Sequence, residues 1–437
     1  MKRLATNIGW LLGGRGINAV LSLVYLALAT RTLGIDGFGT FSIIVAMGQV
    51  ITGIANFQTW QFIIRWGAGK EGPGQATGFA IALDLLSVAG GTVLAAVLCF
   101  TADLWLPLSG ETLWIAFGYS VISLLSIRAT PIGLLRLNFR YDLATLADSV
   151  QPVIRAIGAV LAAFYMPTVL GFVITWALSE VAVAIATWLV AMRDQRIDAS
   201  AISLTRLPRQ HPGAWTFVAS TNLSGSLLVA NKQFILLWVG AVGGEALAGG
   251  FRVAAQLGQA LVELAKTISK AIFPELVHAK DQAMAIARRM ANIALIGGVL
   301  AVLLSLLFGR WVIVIIAGEE LRGVYWAMVI LAIAGAIELV GASLESLLVS
   351  AERAGTAFLV RAIPLALAII FMEAAMDWNG IKGAALAVMF ASALAVIGFW
   401  VAILSQSRIR IVIEPSGEPA EGEAAGLEER ERDARRL

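Results

Sequence analysis

Twelve apolar stretches of about 20 residues follow one another along the chain, near 8–29, 40–63, 77–99, 112–134, 146–165, 168–191, 214–238, 250–273, 291–316, 324–349, 355–376 and 382–404. Each is long enough to cross a hydrocarbon layer ~30 Å thick. The runs are continuous, whereas porin strands alternate over ~10 residues. They therefore predict an all-α polytopic membrane protein of twelve transmembrane helices. Only 14% of the 437 residues are charged, against about 25% in an ordinary soluble domain, so a soluble enzyme of this length is excluded. The 43 glycines fit the same class, since Gly is commoner in membrane helices than in soluble ones. Cys99 is the one cysteine, and His211 and His278 are the two histidines, both in polar segments. Neither a disulfide framework nor a Cys or His metal site is expected.

Charge placement sets the sidedness. With the N-terminus inside, sixteen basic residues fall on one face: Lys2, Arg3, Arg65, Lys70, Arg136, Arg140, Arg193, Arg196, Arg206, Arg209, Lys280, Arg288, Arg289, Arg353, Arg408 and Arg410. The other face keeps three, Arg31, Arg322 and Lys382. Cytoplasmic loops carry the Lys and Arg excess, so both termini are expected in the cytoplasm. Helix 1 is too long for a cleavable leader and is followed by no small-residue cleavage site. The external loops are short and no Asp-x-Asp pair occurs. The chain thus reads as a non-enzyme needing no cofactor, with no nucleic-acid partner. Beyond helix 12, residues 406–437 turn charged, ending in LEERERDARRL. That stretch reads as a solvated, disordered tail in which Glu428–Arg432 and Glu431–Arg435 are helix-compatible i,i+4 pairs.

An internal repeat divides the chain. GTFSIIVAMGQVI at 39–51 aligns without a gap on GGFRVAAQLGQAL at 249–261, an offset of 210, pairing Gly39 with Gly249, Phe41 with Phe251, Gly48 with Gly258 and Gln49 with Gln259. Upstream, Thr6-Asn7-Ile8 is similar to Thr221-Asn222-Leu223. The expected organisation is a six-helix bundle at 1–191, a basic cytoplasmic linker at 192–213, a second six-helix bundle at 214–405 and the tail. An even helix number makes the halves parallel repeats about the membrane normal, an arrangement suited to alternating access around a site between them.

Eleven ionisable residues lie inside apolar runs: Arg15, Asp84, Arg128, Arg155, Glu180, Lys232, Glu263, Lys266, Glu338, Glu345 and Arg361. Each would cost about 2.5–3.5 kcal/mol facing lipid at a helix centre. Together they far exceed a net stability of about 5–15 kcal/mol, so most must face a bundle interior or a wet cavity. Their spacing agrees, because Gln256, Gln259, Glu263, Lys266 and Lys270 step by 3 and 4 along one helix face. Gln49, Thr52, Asn56 and Thr59 form the matching stripe in the first half, and Asp148, Gln151, Arg155 and Gly158 another. Cationic residues outnumber acids along these stripes. That balance suits an anionic head group such as a pyrophosphate, for which Arg supplies a fork and Lys a point charge. For any single residue, burial in a structural ion pair is the competing reading.

Several segments at helix ends resemble a known family. They are Ala29-Thr30-Arg31-Thr32-Leu33-Gly34 followed by Gly37-Phe38-Gly39-Thr40-Phe41-Ser42, and Leu134-Leu135-Arg136-Leu137-Asn138-Phe139-Arg140-Tyr141-Asp142. Ser220-Thr221-Asn222, Ala248-Gly249-Gly250-Phe251-Arg252-Val253-Ala254 and Phe273-Pro274-Glu275-Leu276 complete the set. Over roughly 1–405 the chain resembles the O-antigen and exopolysaccharide flippases of the multidrug/oligosaccharidyl-lipid/polysaccharide exporter superfamily. The resemblance implies a two-lobe, twelve-helix fold with a cationic cavity in the bacterial inner membrane. It further implies passage of an undecaprenyl-pyrophosphate-linked oligosaccharide to the outer leaflet for O-antigen, capsule or exopolysaccharide synthesis. Partners would then be the lipid-linked oligosaccharide and membrane lipid, with a polysaccharide polymerase and its chain-length machinery as further candidates.

In that reading Arg15, Arg128, Arg155, Lys232 and Lys266 are the candidate pyrophosphate ligands. Gln49, Asn56, Gln256 and Gln259 are candidates for sugar contact, and Asp84, Glu180, Glu338 and Glu345 for binding a coupling ion. Two alternatives stay open: a cation-coupled multidrug antiporter of the same superfamily, and a non-transporting assembly partner of a polymerase.

Overall fold

A computed structural model of the chain describes residues 2–68, 73–194, 197–277, 283–350 and 353–404. The side chains of 2–19, 73, 194, 220, 223–231, 261, 264–277, 283–294 and part of 343–354 lie outside that description. The tail at 406–437 lies outside it entirely. The helices are α1 (Lys2–Ala55), α2 (Thr59–Gly67), α3 (Pro73–Phe100), α4 (Glu111–Leu125), α5 (Ala129–Leu137), α6 (Tyr141–Asp148), α7 (Val150–Tyr165), α8 (Val169–Asp194), α9 (Arg206–Gln210), α10 (Ala214–Val277), α11 (Ala283–Ala317), α12 (Tyr325–Ser350) and α13 (Ala354–Leu404). Among the described residues there is no strand. The protein is an all-α polytopic membrane protein.

Three of these helices are hairpins. A straight helix would hold Tyr25 and Phe41 about 24 Å apart, yet their rings lie 6.2 Å apart. Arg252 Nη1 likewise reaches Gln233 Oε1 at 3.3 Å, 19 residues back along α10, and Gly398 packs on Val360 in α13. The reversals fall at Gly34 (φ 69°, ψ −177°) and Gly244 (φ 77°, ψ −176°). Only glycine occupies that backbone region without heavy strain. In α13 the turn is at Asn379 and Gly380. Nine segments of the described residues are long and apolar enough to cross a membrane. Two of them, of 48 and 50 residues, are hairpins with apolar length for two crossings each.

Gly34 and Gly244 are 210 residues apart, the offset of the sequence repeat, and the contact between the halves repeats the symmetry. A Cβ at Gly39 would strike the Glu245 carbonyl, and one at Gly249 would strike the Ile35 carbonyl. Ile35 and Glu245 are themselves 210 apart, so each half presents the same pair to the other. This is the isologous pattern of a two-fold interface, here within one chain. Beside it Arg31 Nη2 donates to the Ile315 carbonyl and, at 3.5 Å, to the Val314 carbonyl. It thereby caps the last turn of α11, where a cation also suits the helix dipole.

One apolar core runs through both halves, with Leu26, Phe41, Met47 and Phe172 of the first packed with Ala248, Phe251 and Met328 of the second. Val93, Phe164, Leu307, Trp311, Ile370 and Phe390 stay exposed around the outside, as lipid-facing side chains must. At the linker end the Arg65 guanidinium lies 5.0 Å from the Trp66 ring and 4.8 Å from Phe217, and Arg136 lies 4.5 Å from Trp60. Such aromatic–cationic pairs suit a membrane–water boundary. The segment 197–213 is partly folded: Leu207 of α9 is buried with Phe62, Phe79 and Val218.

Candidate functional site

Two apolar runs that read as continuous helices are broken, and both breaks face one cavity. The run 40–63 stops at Ala55 and resumes at Thr59, while 112–134 stops at Leu125 and resumes at Ala129. Pro131 explains the second interruption. A proline there cannot donate to the carbonyl four residues back, that of Ile127, and its ring would collide with it. In the folded chain the Trp188 indole N–H takes that carbonyl at 2.9 Å, and Pro131 sits in the first turn of α5, where a missing N–H is harmless.

At the first break the freed carbonyls are also satisfied. Ser87 Oγ donates to the Ala55 carbonyl at 2.7 Å. Asn222 Nδ2, from the other half, donates to Ile54 O at 3.3 Å and Asn56 O at 2.8 Å. The Asn56 side chain accepts from the Gln58 N–H at 2.9 Å. Irregular backbone at membrane depth persists where its polar groups are paired or line a cavity, and discontinuous helices mark transporter binding sites.

The cavity between the breaks has a volume of about 330 Å³ and is lined by Gln49, Thr52, Asn56, Gln58, Asp84, Ser87, Tyr119, Ser123, Ser126, Arg128 and Glu180 among others. Two polar clusters organise its wall. In one, Glu180 of α8 meets Arg128 at 2.9 Å and Arg155 of α7 at 2.7 Å, and accepts from Gln151 Nε2 at 2.8 Å. Arg155 also donates to Ser179 Oγ at 3.0 Å and lies 3.5 Å from the centre of the Trp176 ring. Its orientation is fixed on three sides. Arg128 keeps 34% of its side chain exposed, against 20% for Arg155 and 9% for Glu180, so Arg128 is the more open of the two cations.

In the other cluster, Asp84 of α3 is buried and accepts from Thr59 Oγ1 at 3.0 Å and from Thr130 Oγ1. Thr59 and Thr130 open α2 and α5, so this carboxyl group sits where two half-helices start. Helix N-termini are favourable places for negative charge. No basic side chain pairs with Asp84 among the described residues.

The remaining candidates separate. Gln49 and Asn56 line the cavity. Gln256 is half-buried and Gln259 exposed on α10. Lys232 is exposed, and the side chains of Arg15 and Lys266 lie outside the described residues. Glu345 pairs with Arg361 at 2.6 Å and Glu338 accepts from Ser392 Oγ at 3.2 Å, so both tie α12 to α13. Gly158 is a packing position, where a Cβ would meet Thr175 of α8. Asp148 is exposed at the end of α6.

Sequence reasoning passed over Arg252. It is half-buried, donates to Gln233 and lies near Tyr25 and Tyr119, with no acidic partner among the described residues. Its position third in the apolar run 250–273 was the available signal.

Residues 4–280 match the family model described as "Polysaccharide biosynthesis protein". The chain belongs to this family. Its relatives include the Inner membrane protein YghQ of Escherichia coli (strain K12), 27% identical over 291 residues, which covers 63% of this chain and 81% of that one. Among solved structures, Lipid II flippase MurJ in an inward closed conformation aligns at a TM-score of 0.70 and 12% identity, covering 90% of this chain and 86% of that one. An inward-facing multidrug resistance MATE family transporter of the MOP superfamily aligns at 0.68 and 16% identity, covering 90% and 96%. The Vibrio cholerae MATE transporter VcmN in its bent form aligns at 0.56 and 19% identity, covering 92% and 97%. The polysaccharide biosynthesis family member described here therefore has the fold of that superfamily.

Proposed function

We propose that this protein is a flippase that carries an undecaprenyl-pyrophosphate-linked oligosaccharide across the bacterial inner membrane by alternating access, with both termini cytoplasmic. The observation that supports it best is the polar cavity at the two helix breaks, where Arg128 presents an accessible guanidinium beside Gln49, Asn56 and Tyr119. An anionic pyrophosphate pairs with such a group in bidentate fashion, and the amides and hydroxyls suit sugar hydroxyls. Arg128 and Arg155 are the pyrophosphate ligands of the first half in this reading, with Arg15, Lys232 and Lys266 as those from the remaining stripes. Gln256 and Gln259 contribute sugar contacts from the second half. The glycan passes on to O-antigen, capsule or exopolysaccharide synthesis, with a polymerase and its chain-length machinery receiving it.

The test is a gene deletion followed by mass spectrometry of lipid-linked saccharides, with sidedness probed in spheroplasts and inverted vesicles. One undecaprenyl-pyrophosphate oligosaccharide should accumulate on the cytoplasmic face, and its mass identifies the cargo. An unchanged lipid pool and an unchanged surface glycan would refute the reading.

A second reading has an observation of its own. Of the charged residues lining the cavity, Arg128 stands against Asp84 and Glu180, and Arg155 is paired to Glu180, so the lining carries no cationic surplus. A site of balanced charge suits a cation-coupled multidrug antiporter, in which Asp84 or Glu180 exchanges a proton or sodium ion for an organic cation. Export of small cationic dyes that collapses with the proton or sodium gradient would select it.

A further inference from the structure

A second hollow adjoins the cavity on the far side of the α4–α5 break. It has a volume of about 450 Å³ and lies between the end of α4 and the face of α8, walled by Ile122, Leu125, Ala184, Ile185, Trp188 and Leu189. Its walls are almost wholly apolar, and Leu125, Ile185 and Leu189 are exposed along it. It shares Ser126 and Ile127 with the polar cavity. A single non-helical turn therefore separates an apolar channel from a site carrying Arg128. Along α8 the hollow runs from Val181, next to Glu180, to Met192, next to Arg193. That is about 16 Å at 1.5 Å per residue, or about half a hydrocarbon layer.

We propose that this groove seats the polyprenyl chain of the lipid-linked cargo, which leaves the polar cavity over the Ser126–Ile127 turn and lies along α8. The inference rests on the flippase reading above and adds where the tail goes. A molecule that places an anionic group beside Arg128 and remains joined to a long hydrocarbon needs an apolar exit next to that arginine, and the groove begins at the neighbouring residue. An ordinary phospholipid keeps its head group at the membrane surface, level with Arg193, and has no charged group to place at the buried end. The Trp188 N–H that holds the Ile127 carbonyl fixes the sill between the two compartments. Its indole ring also contributes to the apolar wall.

The experiment uses the full-length protein in vesicles of phosphatidylethanolamine and phosphatidylglycerol. Two photoreactive probes are compared, a diazirine-bearing polyprenyl pyrophosphate and a diazirine-bearing phosphatidylglycerol, with adducts mapped by peptide mass spectrometry. The expected result is polyprenyl adducts at Ile185, Leu189 or Leu125 that unlabelled polyprenyl pyrophosphate competes away and that Arg128→Ala lowers at least tenfold. In cells, Ile185→Trp should slow surface-glycan export at least tenfold at normal protein level, and the same change at Ile370, exposed on α13 away from the groove, should not. Equal labelling of the groove by both probes without competition would show only surrounding lipid and overturn the proposal. Competed adducts between the halves on α1 and α10, with none on α8, would overturn the groove and leave the flippase reading standing. Absence of saturable polyprenyl pyrophosphate labelling anywhere, with intact glycan export in the deletion strain, would overturn both.

Discussion

Removing the Glu180 carboxylate should unbalance the first half more than any other single change to the cavity wall. The carboxylate meets two guanidinium groups at 2.7 and 2.9 Å, and charges about 4 Å apart interact by about 4 kcal/mol at an effective dielectric constant near 20. Arg128 is 34% exposed, so water screens much of its share. Arg155, more enclosed and stacked on Trp176, bears the main loss. Breaking a buried pair by deleting one partner costs about 3–5 kcal/mol, and the partial exposure places Glu180→Ala near the lower end, about 3 kcal/mol. Glu180→Gln keeps hydrogen-bonding capacity toward Gln151 and Arg155 and should lose less. The sign of the double variant is the sharper prediction: Glu180→Ala/Arg155→Ala should be more stable than Glu180→Ala alone, because the uncompensated charge leaves with its partner. Equilibrium unfolding in mixed micelles on increasing sodium dodecyl sulfate measures all four proteins. If Glu180→Ala unfolds with the wild type, or the double variant is the least stable, the cluster does not hold α7, α8 and the helix break together as described.

Trp188→Phe should cost about 1–3 kcal/mol by leaving the Ile127 carbonyl without a donor. Pro131→Ala should recover part of that loss, since an alanine N–H can reach the same carbonyl, and the same unfolding assay reads both. Asp84→Asn should preserve the hydroxyl contacts and protein level, whereas Asp84→Leu should lower stability by stranding Thr59 and Thr130; membrane abundance and unfolding separate them. Gly39→Val should push the halves apart at the Glu245 carbonyl and lower stability by the ~1–3 kcal/mol usual for overpacking, which the same unfolding assay reads. In the linker, Asp198 accepts from the Ser200 N–H at 2.9 Å and hydroxyl at 2.7 Å, which holds its carboxyl below the ordinary range. The turn should be fully protected above the unfolded carboxylate range and loosen as pH falls through the lowered folded value, as hydrogen exchange at Ser200 would report.

The membrane class, the all-α fold and the two-fold repeat were legible because each rests on a long-range pattern that no single residue spoils. The apolar runs show helix content, and the 210-residue offset located a contact whose geometry emerged only in three dimensions. Gly34 and Gly244 stood five residues ahead of the aligned glycines, yet nothing in their neighbours distinguishes a reversal from an ordinary membrane glycine. The cavity-lining stripe of Gln49, Thr52 and Asn56 was visible from its spacing. The breaks were not, because Asn56-Phe57-Gln58 and Ser126-Ile127-Arg128 are short polar interruptions flanked by apolar sequence, and polar residues so placed read equally as the cavity face of an unbroken helix. Pro131 was the available clue to one of them, but a proline in an apolar run is compatible with a simple kink until its carbonyl partner is known. Pairing was the other blind spot. Glu345 with Arg361, and Glu180 with two arginines, are decisions made by neighbouring helices, and a one-dimensional stripe cannot tell a cavity-facing charge from one already spoken for.

The glycine contact between the halves has a mechanical consequence. Gly39 against the Glu245 carbonyl and Gly249 against the Ile35 carbonyl bring backbone to backbone, with no side chain from either glycine in the way. Such a joint rolls: small tilts exchange one van der Waals contact for its neighbour and break no strong bond. Arg31 on the α11 carbonyls and Asn222 on the first helix break behave in the opposite manner, because each polar grip is either made or lost. A smooth fulcrum flanked by all-or-none catches at two separate places is the construction of a toggle, in which intermediate angles are the least populated.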